Sequence, residues 1–335
     1  MRKIEKSKKT TKRFDILKKW RMVCALAEKS QQKTISEHQS TINSEKQDKG
    51  VLNMSEAITT IAEQGNEVVS NRIDFLVYVS SKNGNPNGDP DNGNAPRIDT
   101  ATQKGVITDG GIKSRTRQAV KRIYGEPIMI DKENVSIENA VSKVGDSKDV
   151  SSELSKHYWD VKTFGGVFGK KGSPVTGPVQ ISMGTSLHPI SIQQLSITRC
   201  IPNDVKANKN GVEESNSQFG DKAYQTYGLY RFSGEINPYQ AKKTGFTNDD
   251  VKKLFDGISK AYSLWTSAQK GETETVKIIV FKHNSPLGCA KKHVLFGCVQ
   301  EKLRDGVEVP TDYSDYEISI DESKIPAGVT VEVID

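Results

Sequence analysis

Residues 83–99, NGNPNGDPDNGNAPRID, limit the possible fold more than any other stretch of this sequence. Proline lacks a backbone N–H, and glycine and asparagine favour turns and left-handed backbone conformations. This turn-rich segment therefore excludes a helix or a central strand. A plain surface loop, a metal-binding loop and an anion-binding loop all remain compatible with it.

Regular elements are predicted on both sides of the turn-rich segment. Apolar residues from Ile73 to Val79 have the pattern of a mostly buried strand. A helix is predicted from about Gly111 to Tyr124, with Thr108 or Asp109 as its N-cap and Gly125 as its stop signal.

The order of the remaining elements predicts the fold class. Further strands are predicted at 179–183, 191–198, 227–236 and 276–281, and a helix at 247–269. In that helix, apolar residues keep the three-and-four spacing of a buried stripe, which extends to Trp265. Strand, helix, strands, helix, strand is the order of an α+β, ferredoxin-like sheet, the plan of RNA-recognition domains.

Composition divides the chain into two parts. Residues 1–53 contain 14 Lys and Arg against 6 Asp and Glu, whereas the whole chain has a formal charge of only +6. We therefore predict a basic, disordered N-terminal extension over residues 1–70 and a folded domain over residues 71–335. Polar stretches predict insertions near 131–157 and 202–225.

Cysteine usage and hydropathy indicate the cellular compartment. The four cysteines are scattered without a paired framework, which suits a reducing environment and predicts a cytoplasmic protein. Apolar runs such as 278–281 are far too short to span a membrane, so no membrane partner is expected.

The helix at 111–124 carries a dense set of cations. No acidic residue occurs between its Gly111 start and Gly125, so these cations are expected to lack local neutralisation. Helical geometry places a basic row beside an apolar stripe of Ile112, Thr116, Ala119 and Ile123. Such a row can follow a phosphate backbone, although a solvated basic face is the alternative. The row consists of Lys113, Arg117 and Lys121, with Arg115 and Arg122 on the other side of the stripe.

Two groups of residues contain side chains that could bind a metal ion. Asp89, Asp91, Asp99 and Asp109 are hard oxygen ligands, but a calcium loop starting at Asp89 has Asn94 in place of the required glycine. A magnesium-dependent ribonuclease remains an alternative, beside turn-stabilising aspartates. A second group consists of soft histidine and cysteine ligands, which lack the tight paired spacing of zinc sites. We therefore expect ordinary packing and hydrogen bonding for them, and no metal or cofactor is predicted. These ligands are His283, Cys289, His293 and Cys298.

The polar stretch at 202–225 contains one candidate for base contact. Phe219 is its only large apolar side chain before Tyr224, and Lys222 lies close by. An exposed aromatic side chain could wedge against a base. A loop residue that folds back onto the surface is the alternative.

Taken together, the ordered motifs resemble one known family. The resemblance is to the backbone subunit of type I CRISPR Cascade surveillance complexes, closest to subtype I-C, and runs from about Asn71 to Phe296. The motifs that carry it are NGNPNGDPD, PRID, ITD with the basic helix, DVKTFGGVF, TGPVQIS, SITR, YGLYRFSGEI and FKHNSPLG.

The resemblance implies a non-catalytic scaffold. Copies would polymerise along one CRISPR RNA through a palm, inserted finger segments near 131–157 and a thumb hairpin near 202–225. The thumb would kink the RNA and flip a base at intervals, leaving the other bases to pair with target DNA. Implied partners are CRISPR RNA, the target DNA strand, further copies, the RNA-processing subunit and the large subunit.

The resemblance also implies RNA-binding residues. Lys113 and Arg117 of the basic helix would contact phosphates, Asn85 and Asn87 would approach the RNA, and Phe219 would be the wedge. The full predicted RNA-binding set is Asn85, Asn87, Arg97, Lys113, Arg115, Arg117, Lys121, Phe219 and Lys222.

Overall fold

The computed structural model describes residues 65–144, 149–169, 172–198, 206–207, 213–214 and 219–335. The strands are β1 (Ile73–Gly84), β2 (Gly88–Asp89), β3 (Ala95–Pro96), β4 (Lys104–Ile107), β5 (Gly165–Gly166), β6 (Val175–Thr176), β7 (Val179–Ile181), β8 (Gly184–Pro189), β9 (Ile192–Thr198), β10 (Lys206–Ala207), β11 (Glu213–Glu214), β12 (Phe219–Ile236), β13 (Glu272–His283), β14 (Val299–Leu303), β15 (Tyr316–Ile320) and β16 (Val329–Ile334). The helices are α1 (Asp109–Tyr124), α2 (Ile137–Ser142), α3 (Val150–His157), α4 (Trp159–Phe164), α5 (Pro238–Thr244), α6 (Asn248–Lys260) and α7 (Lys292–Phe296).

An antiparallel sheet organises the fold. Its strand order is β16-β13-β1-β12-β8-β4, and β7 and β9 also pair with β12. The path β13-β1-β12, followed by β7 and β8, reproduces the strand order of a ferredoxin-like domain, with α1 after β1 and α6 after β12. The predicted α+β class is therefore confirmed.

Both faces of the sheet are covered. On one face, Phe75 and Val77 of β1 share a core with Ile112 of α1 and with Leu254 and Ile258 of α6. On the other, alternate β1 side chains such as Leu76 pack with Leu295, Val299 and Tyr316 from the segment after β13. We call residues 292–320, which contain α7, β14 and β15, the C-terminal layer.

Strand β12 is longer than its predicted range of 227–236. Eleven of its last twelve residues pair with β1, from Gln225 opposite Gly84 to Ile236 opposite Ile73. Its first residues pair with β9 instead, from Phe219 opposite Thr198 to Gln225 opposite Ile192. We call this two-stranded extension, residues 192–198 and 219–225, the β9–β12 arm.

The predicted insertion near 131–157 contains short helices with their own core. Helices α2 and α3 lie within it, and α4 follows directly. Buried side chains from this region form a cluster separate from the sheet cores, whereas Trp159 and Phe164 of α4 join the core that contains Ile112 of α1. The cluster consists of Met129, Ala140, Val141, Leu154, Tyr158, Val161 and Phe168.

Two predicted element boundaries are wrong. The helix predicted over 247–269 ends at Lys260, and the strand predicted over 179–183 ends at Ile181 as β7, with β8 starting only at Gly184. The predicted extension over 1–70 falls mostly outside the described residues, as does much of 202–225. Within the part of the chain that the structure describes, no helix has the length and apolar character needed to cross a membrane.

Candidate nucleic-acid interface

The turn-rich segment is held together by its own backbone and side chains. Asn83, Gly93 and Asn94 have positive φ angles of 49°, 55° and 58°, a region that glycine and asparagine tolerate best. A Cβ at Gly88 would lie 2.0 Å from Asn94 Oδ1 and 2.9 Å from the Asn94 carbonyl oxygen, so a larger residue there would have to displace Asn94. The abundance of Asn and Gly is therefore explained by tight turns.

Asn85 and Asn87 connect this segment to its surroundings. Asn85 is 1% exposed, and its Nδ2 donates to the Asn94 carbonyl over 2.6 Å. Asn87 Oδ1 accepts from both the backbone N and the Oγ1 of Thr108, at 2.7 and 3.0 Å. Since Thr108 is the N-cap of α1, Asn87 fixes the start of that helix against the segment. Asn85 is therefore buried within the segment, whereas Asn87 lies at the start of α1.

Helix α1 begins and ends as its sequence predicts. Thr108 Oγ1 accepts from Gly111 N, and Gly125 closes the helix at φ 71°. Ile112, Thr116 and Ala119 are buried as predicted, but Ile123 is 42% exposed and Val120 is buried instead. The apolar stripe therefore turns toward α6 at its C-terminal end, where Val120 approaches Gly257.

The predicted absence of local neutralisation along α1 is wrong. Lys113 pairs with Asp109 at 3.1 Å, and Lys121 pairs with Asp131 at 3.0 Å. Arg117 Nε lies 3.0 Å from Asp160 Oδ2, with only 9% of the Arg117 side chain exposed. All three cations of the row are thus paired, and Arg117 is inside the protein.

Asp160 is the buried partner that the sequence pattern did not indicate. It lies on α4, and its two carboxylate oxygens also accept from the backbone N–H groups of Met129 and Ile130. Burial lowers the pKa of Arg117, opposed by the attraction of Asp160. The pair therefore fastens α1 to the segment that leads into the helical insertion.

Arg115 has a different environment from the row. It lines an open groove of about 900 Å³ beside α1. No ion pair of Arg115 occurs among the described residues. The groove is lined by Pro86, Asn87, Gly111, Ser114, Arg115, Gln118, Met129, Ile130, Asp131, Lys132, Asn134, Ser136, Ile137, Trp265 and Lys270.

Lys270 and Trp265 are groove residues that sequence reasoning missed. Trp265 was assigned to the apolar stripe of a helix that in fact ends ten residues before Lys270. The chain after α6 forms a loop instead, because it packs against the turn-rich segment. There, Asn85 N donates to the Gln269 carbonyl over 2.8 Å.

Lys270 is a cation in a partly buried position. Its Nζ donates to the carbonyls of Asn85 and Pro86, at 3.0 and 3.1 Å. Burial, together with the positive charge of Arg115, lowers the pKa of Lys270 to about 8. The groove therefore contains two cations that repel each other and would be stabilised by an anion.

Arg97 and three of the four aspartates of the alternative ribonuclease site, Asp89, Asp99 and Asp109, have local partners. Arg97 Nη1 lies 3.1 Å from Asp89 Oδ1. Hydrogen bonds from Thr102 and the Ala101 N–H lower the pKa of Asp99, and Lys113 lowers that of Asp109. Among the described residues, no three His, Cys, Asp or Glu side chains come together as a metal site would require.

The suggested soft-ligand group is also not assembled. His283 is buried, with Nε2 3.0 Å from Asp74 Oδ2 and Nδ1 accepting from Cys289 N at 2.8 Å. The thiol of Cys298 points to the carbonyls of Val294 and Lys324. These contacts confirm the expected hydrogen bonding of His283 and show that both of its ring nitrogens are occupied.

The β9–β12 arm contains the remaining predicted residues. The backbone of Phe219 pairs with Thr198 at the far end of the described arm. Lys222 Nζ donates to the carbonyl of Ala268 and lies 5.9 Å from the ring centre of Tyr224. Lys222 thus joins the arm to the loop that carries Trp265 and Lys270.

Comparison with known proteins gives one family and several distant structures. Residues 71–321 match the family model described as CRISPR-associated protein Cas7. A search of curated proteins finds no match.

The solved structures share low sequence identity with the chain. One, described as a CRISPR RNA-guided surveillance complex in a pre-nicking state, is 11% identical, with a TM-score of 0.42 over 63% of this chain and 78% of that one. A second surveillance complex is 15% identical, with a TM-score of 0.39 over 63% and 68%. A Type III-B Cmr-beta complex bound to cognate target RNA is 12% identical, with a TM-score of 0.37 over 69% and 66%.

Proposed function

The chain belongs to the family of CRISPR-associated protein Cas7, and we propose that it is a non-catalytic scaffold that binds CRISPR RNA through the groove beside α1. The observation that carries this proposal is the groove itself. Arg115 and Lys270 line it without a carboxylate partner among the described residues, whereas the neighbouring Lys113, Arg117 and Lys121 are paired. Contacts to phosphates bind RNA without reading its sequence, which leaves the bases free to pair.

The proposed assembly follows from this mode of binding. Several copies would follow one guide RNA, with the β9–β12 arm as the thumb and residues 131–157 as a finger. The guide would then pair with a target DNA strand, in the cytoplasm, together with the RNA-processing and large subunits. The order of sequence motifs supports assignment to subtype I-C.

The proposed RNA contacts differ in part from the residues predicted from the sequence. Arg115 and Lys270 are proposed as direct contacts, and the partly exposed Lys113, Lys121 and Arg97 as further contacts. Phe219 is kept as the proposed wedge and Lys222 as a link between arm and groove. Arg117 and Asn85 are assigned to holding the groove in shape, because both are buried and bonded internally.

The test is co-purification of RNA with the full chain expressed together with a CRISPR RNA. We expect Arg115→Glu to remove the bound RNA, seen as a fall in absorbance at 260 nm relative to 280 nm. Lys243→Glu is the matched control, since it makes the same change of charge at an exposed position on α5. Unchanged RNA content in Arg115→Glu, with a normal circular dichroism spectrum, would contradict the proposal.

The protein expressed together with a CRISPR RNA also tests two further points, the assembly of copies and the alternative ribonuclease activity. Electron microscopy should show arcs or helical filaments when guide RNA is present, and isolated particles would argue against a scaffold. RNA cleavage that EDTA stops, and that Asp89→Ala or Asp109→Ala removes, would establish the metal-dependent ribonuclease instead. We expect the RNA to stay intact.

A further inference from the structure

We propose that the groove holds one unpaired nucleotide of the bound RNA, with its base stacked on the indole ring of Trp265 and its phosphate between Arg115 and Lys270. This inference rests on the proposed function and defines the ligand of its site more closely. It assigns roles to Trp265 and Lys270, neither of which belongs to the initially predicted set.

The indole ring is held in one orientation from outside the groove. The guanidinium carbon of Arg122 lies 4.6 Å from the centre of the Trp265 ring, and Arg122 Nη1 donates to the Leu264 carbonyl over 3.2 Å. Arg122 does not line the groove, whereas Trp265 does. One face of the ring is therefore covered by a cation of the protein, while Trp265 itself lines the groove.

An aromatic ring fixed in this way suits a base better than it suits other ligands. Every base has a flat π-face, so stacking accepts any sequence, as a guide RNA of variable sequence requires. The groove also exposes apolar side chains at Ile130 and Ile137, which are 53% and 48% exposed. A base between these surfaces would remove apolar area from water on both sides.

The charges in the groove suit a single phosphate. Arg115, Asp131, Lys132 and Lys270 are the charged side chains that line it, and Asp131 is already bound by Lys121 and Gln118. Lys270 Nζ uses two of its three N–H groups on backbone carbonyls, which leaves one for a ligand. Among the described residues nothing pairs with the Arg115 guanidinium, whose fork of N–H donors suits a phosphate.

The size of the groove agrees with one nucleotide plus its neighbours along the strand. A volume of about 900 Å³ is at the upper end of ordinary ligand pockets, which are roughly 300–1,000 Å³. Because the groove is open rather than closed, the strand can enter and leave it. The site would therefore bind one nucleotide of an RNA strand that continues on both sides of it.

The experiment separates the base from the phosphate. Fluorescence anisotropy would compare a labelled single-stranded oligoadenylate with an oligomer of the same length and charge in which the bases are replaced by abasic sites. Wild-type protein should prefer the oligoadenylate by about 5- to 100-fold, from stacking of one base. Trp265→Ala should lose most of this preference, while Trp265→Phe, which keeps an aromatic face, should retain much of it.

Every outcome bears on one of the two proposals. If wild-type protein binds neither oligomer, the proposed function fails. If wild-type protein binds both equally, or if Trp265→Ala keeps the full preference, the nucleotide site alone is overturned. Should Trp265→Ala fail to fold, the wild-type comparison of the two oligomers and the Phe variant still decide the question.

Discussion

At the scale of single residues, two arginines two positions apart on α1 have opposite roles. Arg117 is buried against Asp160, and Arg115 opens into the groove. From sequence alone both belong to one cationic helix, because the acid that distinguishes them lies 43 residues farther along the chain. Local patterning predicts that Arg117 lies close to the apolar stripe, but it carries no information on a partner from another helix.

Loss of the buried pair should destabilise the protein without removing a groove residue. Arg117→Met leaves the Asp160 carboxylate buried without its cation, and breaking such a pair costs about 3–5 kcal/mol. Urea denaturation followed by circular dichroism would measure the free energy of unfolding. Arg115→Met is the control and should change it by less than about 1 kcal/mol. Equal effects of the two substitutions would contradict the structure.

Binding of RNA should depend on pH through Lys270. A phosphate beside its ammonium favours the charged form and so raises the pKa of Lys270 above its free value of about 8. The complex then takes up protons, and affinity should fall as pH rises from about 7.5 to 9. Binding isotherms across this range test the effect, and Lys270→Met should weaken binding and flatten the profile. An equally steep profile in Lys270→Met would refute the assignment.

The same group contributes to stability with the opposite dependence on pH. The folded pKa of Lys270 lies below its ordinary unfolded value of about 10.4, so the unfolded chain binds more protons between these two values. The contribution of Lys270 to the free energy of unfolding therefore increases as pH rises through that window. Affinity for RNA and stability of the free protein should thus diverge above pH 8.

At the scale of elements, the start of α1 depends on the turn-rich segment. Asn87 accepts from the backbone and hydroxyl of Thr108, which in turn caps the helix. Capping and turn residues are local signals, which is why both ends of α1 were predictable. The end of α6 was not, since the apolar spacing continues to Trp265 while contacts with residues 85–86 hold the chain in a loop.

Removal of the Asn87 side chain should loosen the first turn of α1. Asn87→Ala leaves the Thr108 N–H without its acceptor, and we expect a loss of about 1–2 kcal/mol in unfolding free energy. Faster amide exchange at the start of α1 would locate the effect. Asn92→Ala, at an exposed position of the same segment, is the matched control and should leave both quantities unchanged. A similar loss in the control would mean that the segment as a whole is sensitive.

At the scale of the whole molecule, the sheet has the strand order of RNA-recognition domains. The face that those domains leave open is, however, covered in this protein. Such domains stack bases on the sheet, whereas here the C-terminal layer packs on that face through Leu295, Val299 and Tyr316. The order of strands and helices predicted the topology. The C-terminal layer was not predicted, because its short strands lack a long periodic pattern. The RNA-binding groove proposed above therefore lies beside α1 rather than on the sheet.

The salt dependence of RNA affinity should show how many phosphates each copy of the protein contacts. The logarithm of the affinity for single-stranded RNA falls with the logarithm of salt concentration by about 0.7 for each neutralised phosphate. Arg115→Gln should reduce this slope by about 0.7 to 1. Lys243→Gln, away from the groove, should leave it unchanged. An unaltered slope in Arg115→Gln would mean that its side chain does not contact the backbone.

The position of β1 in the sequence determines how long it must wait for its partner strands during synthesis. Nine consecutive residues, Ile73–Ser81, are buried between β12 and β13, yet these partners begin only at Phe219 and Glu272. At ribosomal rates of about 5–20 residues per second, β1 waits on the order of ten seconds for its first neighbour. During that time β1 lacks the two strands that bury it, so its apolar residues are exposed to aggregation until β12 has been made.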